Sequence, residues 1–378
     1  MRAVRGGVAV CTAVLLAATL VAERRHPGAH AQASAAPGRQ PAPGWAAAIG
    51  ELSEPGGYFD TDNLISNERS YAEPMPALDA AGLAGGVYIG VGPDQNFSYI
   101  ARLKPSAAYL IDIRRDNLLL HLLFKAFFEL ADTRAEYLCL LIGCAVPPAD
   151  LARTREMPAG ALADWTDMAR RHRPIGSVPD PRIDRVLAAF GVPLSAGDRD
   201  AVTRFHRSFQ DEGLDLKFHS FGRPPQRHYP SYRDLMTETD PAGAPAHFLA
   251  TEAAYAVVRD LQRRDAIVPL VGDLAGPTAL AALGRRLESS GARVSAVYVS
   301  NVEYYLFGTG RFRAFAAHLA RLPRRPGAVL LRSVFQGMSG PVRPGYGSTS
   351  VAVPVDAVVR AWNAGAIDSY GDLLRVVR

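Results

Sequence analysis

Lysine is nearly missing from this chain: of 42 basic residues only Lys104, Lys125 and Lys217 are lysines, and the rest are arginines. In a chain also rich in Ala, Gly and Pro, that bias reads as the base composition of a GC-rich genome, not as a binding surface. Cysteine is scarce too, and Cys11, Cys139 and Cys144 are too few for a disulfide-framework scaffold. Collagen-like and coiled-coil compositions are absent, and no internal repeat stands out. There is no Gly-x-Ser-x-Gly elbow, so a hydrolase of that type would have no nucleophile. His206, His219 and His228 are spaced too irregularly for a local zinc site. What remains is a globular chain of 378 residues, 48% hydrophobic and 21% charged, long enough for one large core or two small ones.

The first 31 residues read as a targeting segment. Arg2 and Arg5 precede an apolar or small run from Val8 to Ala22, and Ala29-His30-Ala31 follows. A basic start, an apolar stretch and an Ala-x-Ala site are the parts of a secretory signal. The run falls short of the roughly 20 residues that span a bilayer comfortably. Export or a periplasmic location is therefore expected, with an uncleaved membrane anchor at the N-terminus as the alternative. Residues 32–43 have linker composition, and 44–378 form the expected domain. Cleavage would remove four arginines and one glutamate, taking the net charge from +5 to +2. That leaves no electrostatic case for a nucleic-acid partner.

Within the domain, apolar strands alternate with helical patterns. Strands are expected at Gly86–Gly90, Ala107–Ile113, Ala266–Val271, Val294–Ser300 and Ala328–Val334, and helices after Pro93, at 118–130, 277–289 and 311–322. This alternation predicts an α/β fold, Rossmann-like, with a mostly parallel sheet. Between the second and third strands, residues 117–265 are too long for one crossover and predict a large, mainly helical insertion, with helices at 183–190, 197–212 and 246–263. Residues 44–76 predict an irregular lead-in with one short helix. Its Asn67-Glu68-Arg69-Ser70-Tyr71 run either caps locally or covers a cleft. Cys139 and Cys144 lie in an apolar run and read as buried thiols. Export would let them pair, but helical spacing is expected to hold them apart.

Parallel sheets bind ligands beyond the carboxyl ends of their strands. After the first strand come Gly90 and Gly92, then Asp94, Gln95 and Asn96, where glycines admit a ligand to the backbone and a helix start offers free N–H groups. Asp112 ends the second strand, 22 residues beyond Gly90, where a carboxylate can accept hydrogen bonds from a ribose diol. Asp273 ends the third. Asn301, Glu303 and Tyr304 follow the fourth. Arg114-Arg115 could contact a phosphate or simply start a solvated helix, and the Tyr229/Tyr232 and Phe205/Phe209 pairs read as packing.

This ordered series, followed by the Pro326-Gly327 turn before the fifth strand, resembles the motif succession of class I S-adenosylmethionine-dependent methyltransferases. Val87–Asn117, with Val271-Gly272-Asp273 and Tyr298–Glu303, is similar to a methyltransferase-like family of uncharacterised bacterial proteins. The resemblance implies a Rossmann-like fold of the class I methyltransferase type and S-adenosylmethionine over Gly90, Gly92 and Asp112. Asp273 would then reach the adenine, Asp94, Gln95 and Asn96 would lie at the glycine loop, and Asn301, Glu303 and Tyr304 would face an acceptor whose identity stays open. The sequence departs from the pattern at Tyr88, where such enzymes carry an acid for the cofactor ammonium, and at Asp94, where they commonly carry a third glycine. Asp94 is then the candidate replacement carboxylate. The competing expectation is an exported, non-catalytic protein that keeps the sheet and binds an envelope ligand or partner. Amino-terminal sequencing of the protein recovered from its source is expected to start near Gln32; a start at Met1 would mean that the leader is retained.

Overall fold

A computed structural model describes residues 44–174, 178–224, 226–335, 337–338 and 342–376. The expected leader, residues 1–31, and the linker, 32–43, lie outside them. Six strands form one sheet: β1 (Val87–Gly90), β2 (Ala107–Asp112), β3 (Ile267–Val271), β4 (Val294–Ser300), β5 (Arg324–Phe335) and β6 (Ser348–Pro354). Their order is β3-β2-β1-β4-β5-β6. The first five are parallel and β6 runs antiparallel to β5. The order reverses between β1 and β4, which makes the carboxyl end of that pair the switch point.

The central strands are apolar on both faces because helices cover both sides, as parallel sheets require. β1 and β3 are buried at every position. β3 carries Pro269, which lacks a ladder N–H, and it lies at the sheet edge, where proline is tolerated. The helix Trp45–Leu52 covers that edge, and the Trp45 indole N–H donates to the Ile267 carbonyl at 3.1 Å. Lys125 stands over the Trp45 and Phe190 rings, at 5.1 and 5.4 Å. Among the described residues, no helix is long and apolar enough to cross a membrane.

The connection from β2 to β3 is mainly helical. It opens with the helix Arg115–Leu130, whose central positions are all buried, and closes with Glu252–Arg263, which packs against the helix after β1. Residues 246–250, expected to be helical, form a buried loop instead. The Arg134 guanidinium takes the Leu249 and Ala250 carbonyls at 3.0 and 2.6 Å, and Thr251 caps the helix that starts at Glu252. The helix after β1 likewise starts later than its proline suggests, at Gln95.

The cysteine expectation is corrected. Cys139 and Cys144 form a disulfide, with Cα atoms 4.4 Å apart. Gly143 adopts φ +80° and ends the helix Arg134–Ile142, and the N–H groups of both Gly143 and Cys144 return to the Cys139 carbonyl at 2.9 Å. The left-handed turn folds Cys144 back over the last helical turn, where a continued helix would have carried it away. β6 and the helices Val355–Asn363 and Tyr370–Arg375 complete the fold. Closing a loop this short by a disulfide contributes about 2 kcal/mol through the unfolded chain. Replacing both cysteines with alanine is therefore expected to lower the urea-derived stability by at least that amount, and an unchanged transition midpoint would contradict it.

Candidate functional site

The lead-in does more than connect. It crosses the carboxyl edge of the sheet and is fastened at one strand end after another. At β3, the Glu54 N–H donates to the Val271 carbonyl at 2.9 Å, and its carboxylate accepts from the N–H groups of Asp273 (2.7 Å), Thr278 (3.1 Å) and Ala279 (3.2 Å). A carboxylate there offsets the positive end of the helix Ala279–Ser290. At β2, Gly57 N–H donates to the Ile113 carbonyl at 2.7 Å, and a Cβ on Gly57 would lie 2.7 Å from the Ile113 side chain. Only glycine permits that approach.

Arg114 makes the next tether. Its guanidinium holds both Asp112 oxygens, at 3.1 and 3.0 Å, and also donates to the carbonyls of Thr61 (3.0 Å) and Asp62 (3.2 Å). At β4 and β5 the fastening is Glu68, whose carboxylate accepts from Tyr298 (2.8 Å), Ser333 (2.5 Å) and Ser300. Ser300 takes φ +50°, a conformation uncommon for a residue with a side chain, at the end of β4.

Beneath this roof lies a cavity of about 420 Å³. The strand ends supply Gly92, Asp112, Gly272, Asp273, Ser300 and Asn301, and the roof supplies Tyr58, Phe59, Thr61, Asn63, Ser66 and Asn67. Ile111, Ile113, Leu274 and Leu306 make the walls apolar. Its size and its mixture of apolar wall and few polar groups suit a small molecule. Both acids are matched by arginine: Asp112 by Arg114, and Asp273 by Arg311, which itself lines the cavity.

Of the residues expected from sequence, Gly92, Asp112, Asp273 and Asn301 meet at this cavity. Gly92 has φ +82°, and a Cβ there would meet nothing within 4 Å, so the chain is open toward the space at that point. The others are not on its wall. Gly90 makes room for protein atoms: a Cβ would come 1.9 Å from Asn96 Oδ1. Asn96 closes the loop from inside, donating to the carbonyls of Val91 (2.8 Å), Gly92 (3.2 Å) and Pro93 (2.8 Å) and accepting from the Tyr88 hydroxyl (2.9 Å). Gln95 is buried and donates to the Tyr298 hydroxyl at 3.2 Å.

Asp94, the candidate replacement carboxylate, is not among the residues that line the cavity. It is buried away from the cavity and accepts from the Tyr232 hydroxyl at 2.7 Å, and burial pushes its carboxyl up to about 7. Glu303 points inward, 3.2 Å from the equally buried Arg332, and burial raises its pKa. Tyr304 is partly exposed and packs edge-on against Phe335 and Tyr370. Sequence reading missed His121, whose Nε2 lies 2.9 Å from the Gly92 carbonyl and whose burial lowers its pKa to about 4, so it is neutral under the loop. It also named no role for Glu54, Arg114 or Glu68 at the strand ends beyond the open reading of Arg114 and of the polar run.

The fold and site define an α/β protein with a roofed cavity at the switch point of its sheet. The chain belongs to the family described as a domain of unknown function (DUF7790), which matches residues 64–142 and 214–350. Those two stretches contain β1 to β5, Glu68 and Arg114, and they skip residues 143–213 of the insertion. No curated protein matches the chain.

Because the folded state holds the Asp94 proton up to about pH 7 while an unfolded carboxyl releases it near 3.8, this group favours folding at low pH and loses that contribution as pH rises from about 4 to 7. Asp94→Asn keeps the acceptor for Tyr232 and does not titrate. Relative to wild type, the variant is expected to gain about 3 kcal/mol between pH 4.5 and 8, read from urea unfolding at the two pH values; parallel profiles would refute the burial argument.

Proposed function

We propose that the main cavity binds a nucleoside cofactor of the S-adenosylmethionine type, and that the protein is methyltransferase-like, with a fold of the class I methyltransferase type. One observation carries this reading: the cavity lies across the carboxyl ends of β1 to β4 at the switch point, with Asp112 on its wall. The order 3-2-1-4-5 supports a doubly wound nucleotide-binding sheet, and the antiparallel sixth strand separates it from an all-parallel dinucleotide fold.

Residues fit a nucleoside in part. A carboxylate has about four acceptor positions, so Asp112 can hold Arg114 and still receive a ribose hydroxyl. Ile113 and Leu274 offer flat apolar contact for a base near Asp273. The open backbone at Gly92 admits the sugar or the chain beyond it. Bound S-adenosylmethionine would supply an electrophilic methyl sulfonium. The chain's own part is to exclude water with the roof and to position an acceptor, for which Asn301 is placed on the wall.

A second reading is an exported, non-catalytic binder that uses the same cavity for an envelope ligand. The Cys139–Cys144 disulfide favours it, since disulfides persist mainly in oxidising compartments, whereas S-adenosylmethionine is a cytoplasmic metabolite. Calorimetric titration with S-adenosylmethionine and S-adenosylhomocysteine separates the two. We expect saturable heat from at least one of them. No heat from either, with folded protein at high concentration, would overturn the cofactor reading and leave the second.

A further inference from the structure

A second cavity, about 360 Å³, adjoins the first and shares Asn67, Arg223, Tyr229, Asn301 and Phe335 with it. Its other wall holds Glu68, Ser333 and Ser348, with Gln226 and His228 toward solvent. Glu68 is 3% exposed, and every hydrogen bond to its carboxylate comes from a neutral hydroxyl: Tyr298, Ser300 and Ser333. Among the described residues no Lys, Arg or His pairs with it. The neighbouring Arg69 is engaged by Glu238 and Asp234, and Arg223 by Asp60 at 2.8 Å.

A buried carboxylate without a counter-cation is costly to keep ionised, and burial raises the Glu68 pKa accordingly. Three donors leave roughly one of its four acceptor positions open. Behind it runs a chain of hydroxyls: Ser333 to Ser350 at 2.8 Å, Ser350 to Ser70 at 2.9 Å, and Ser70 to Ser348 at 2.7 Å. Each can rotate to donate or accept, so the wall between Glu68 and Ser348 can present oxygen lone pairs to a donor-only group. Tyr229 and Phe335 add aromatic faces that attract a cation.

We propose that this side cavity is a binding subsite for a small organic amine, whose ammonium group docks on Glu68 with the Ser333 and Ser348 hydroxyls and the Asn301 carboxamide oxygen as further acceptors. An ammonium has three N–H donors and no acceptor, which matches a wall where the one carboxylate, Glu68, has only neutral hydroxyl partners and the one guanidinium, Arg223, is held by Asp60. A divalent metal fits less well, because a single carboxylate among hydroxyls lacks the ligand charge such ions take. The subsite stands independently of what occupies the main cavity.

Saturation-transfer NMR with propylammonium and with 1-propanol tests it, because the two probes share shape and differ in charge. Propylammonium is expected to give a saturable signal and propanol none. Glu68→Gln should weaken the amine at least tenfold. Gln226→Arg, at an exposed position on the cavity rim, adds a positive charge without disturbing the buried hydroxyls and should weaken it several-fold even if Glu68→Gln fails to fold. Equal signals from the two probes, or amine binding unaffected by both substitutions, would overturn the proposal. Amine binding by wild type that takes up neither nucleoside would leave this subsite standing and remove only the cofactor reading.

Discussion

The structure of the site depends on one fork of hydrogen bonds. Arg114, two residues past the end of β2, holds Asp112 with one side of its guanidinium and the carbonyls of Thr61 and Asp62 with the other. Asp112 fixes the guanidinium plane, and the plane fixes the roof. A lysine could satisfy one of these partners at a time, whereas the planar group serves both in a fixed geometry. Removing either member would strand a buried charge, which is strongly destabilising. The roof over the main cavity and the depth at which Glu68 sits both follow from a segment that this fork helps to hold against the sheet.

Much of the frame was readable from pattern alone. Mostly apolar runs mark β1 to β5 because buried parallel strands need no polar face, and the long β2–β3 connection could only be an insertion. β6 escaped because two of its three buried positions are Ser348 and Ser350, whose burial is satisfied by Ser70 and Ser333 from distant parts of the chain. The disulfide escaped for a related reason: spacing of five reads as helical unless Gly143 is known to take a left-handed turn.

Strand direction decides where residues that end a strand go, and Asp112, Asp273, Gly92 and Asn301 meet at the cavity for that reason. Those inside a helical turn do not. Asp94, Gln95 and Asn96 share a turn that faces the protein interior, and Glu303 is claimed by Arg332, a partner 29 positions away on β5. Local sequence shows that a residue follows a strand but not which way the next turn rotates it. Glu68 was visible only as part of a polar run with two open readings; its significance arises from three hydroxyls located 230 or more positions later.

The lead-in has a consequence for how the protein forms. Its fastenings join Glu54 to Asp273, Arg114 to Thr61, and Glu68 to Ser300 and Ser333, so the segment synthesised first among the described residues binds to strand ends that emerge late. Contacts of such long sequence separation form slowly because a large loop must close before they bring any gain. The sheet and its insertion can assemble while the roof is still loose. The cavities under the roof are therefore complete only when residues from early and late in the described chain have come together, Glu54 with Asp273 and Glu68 with Ser300 and Ser333.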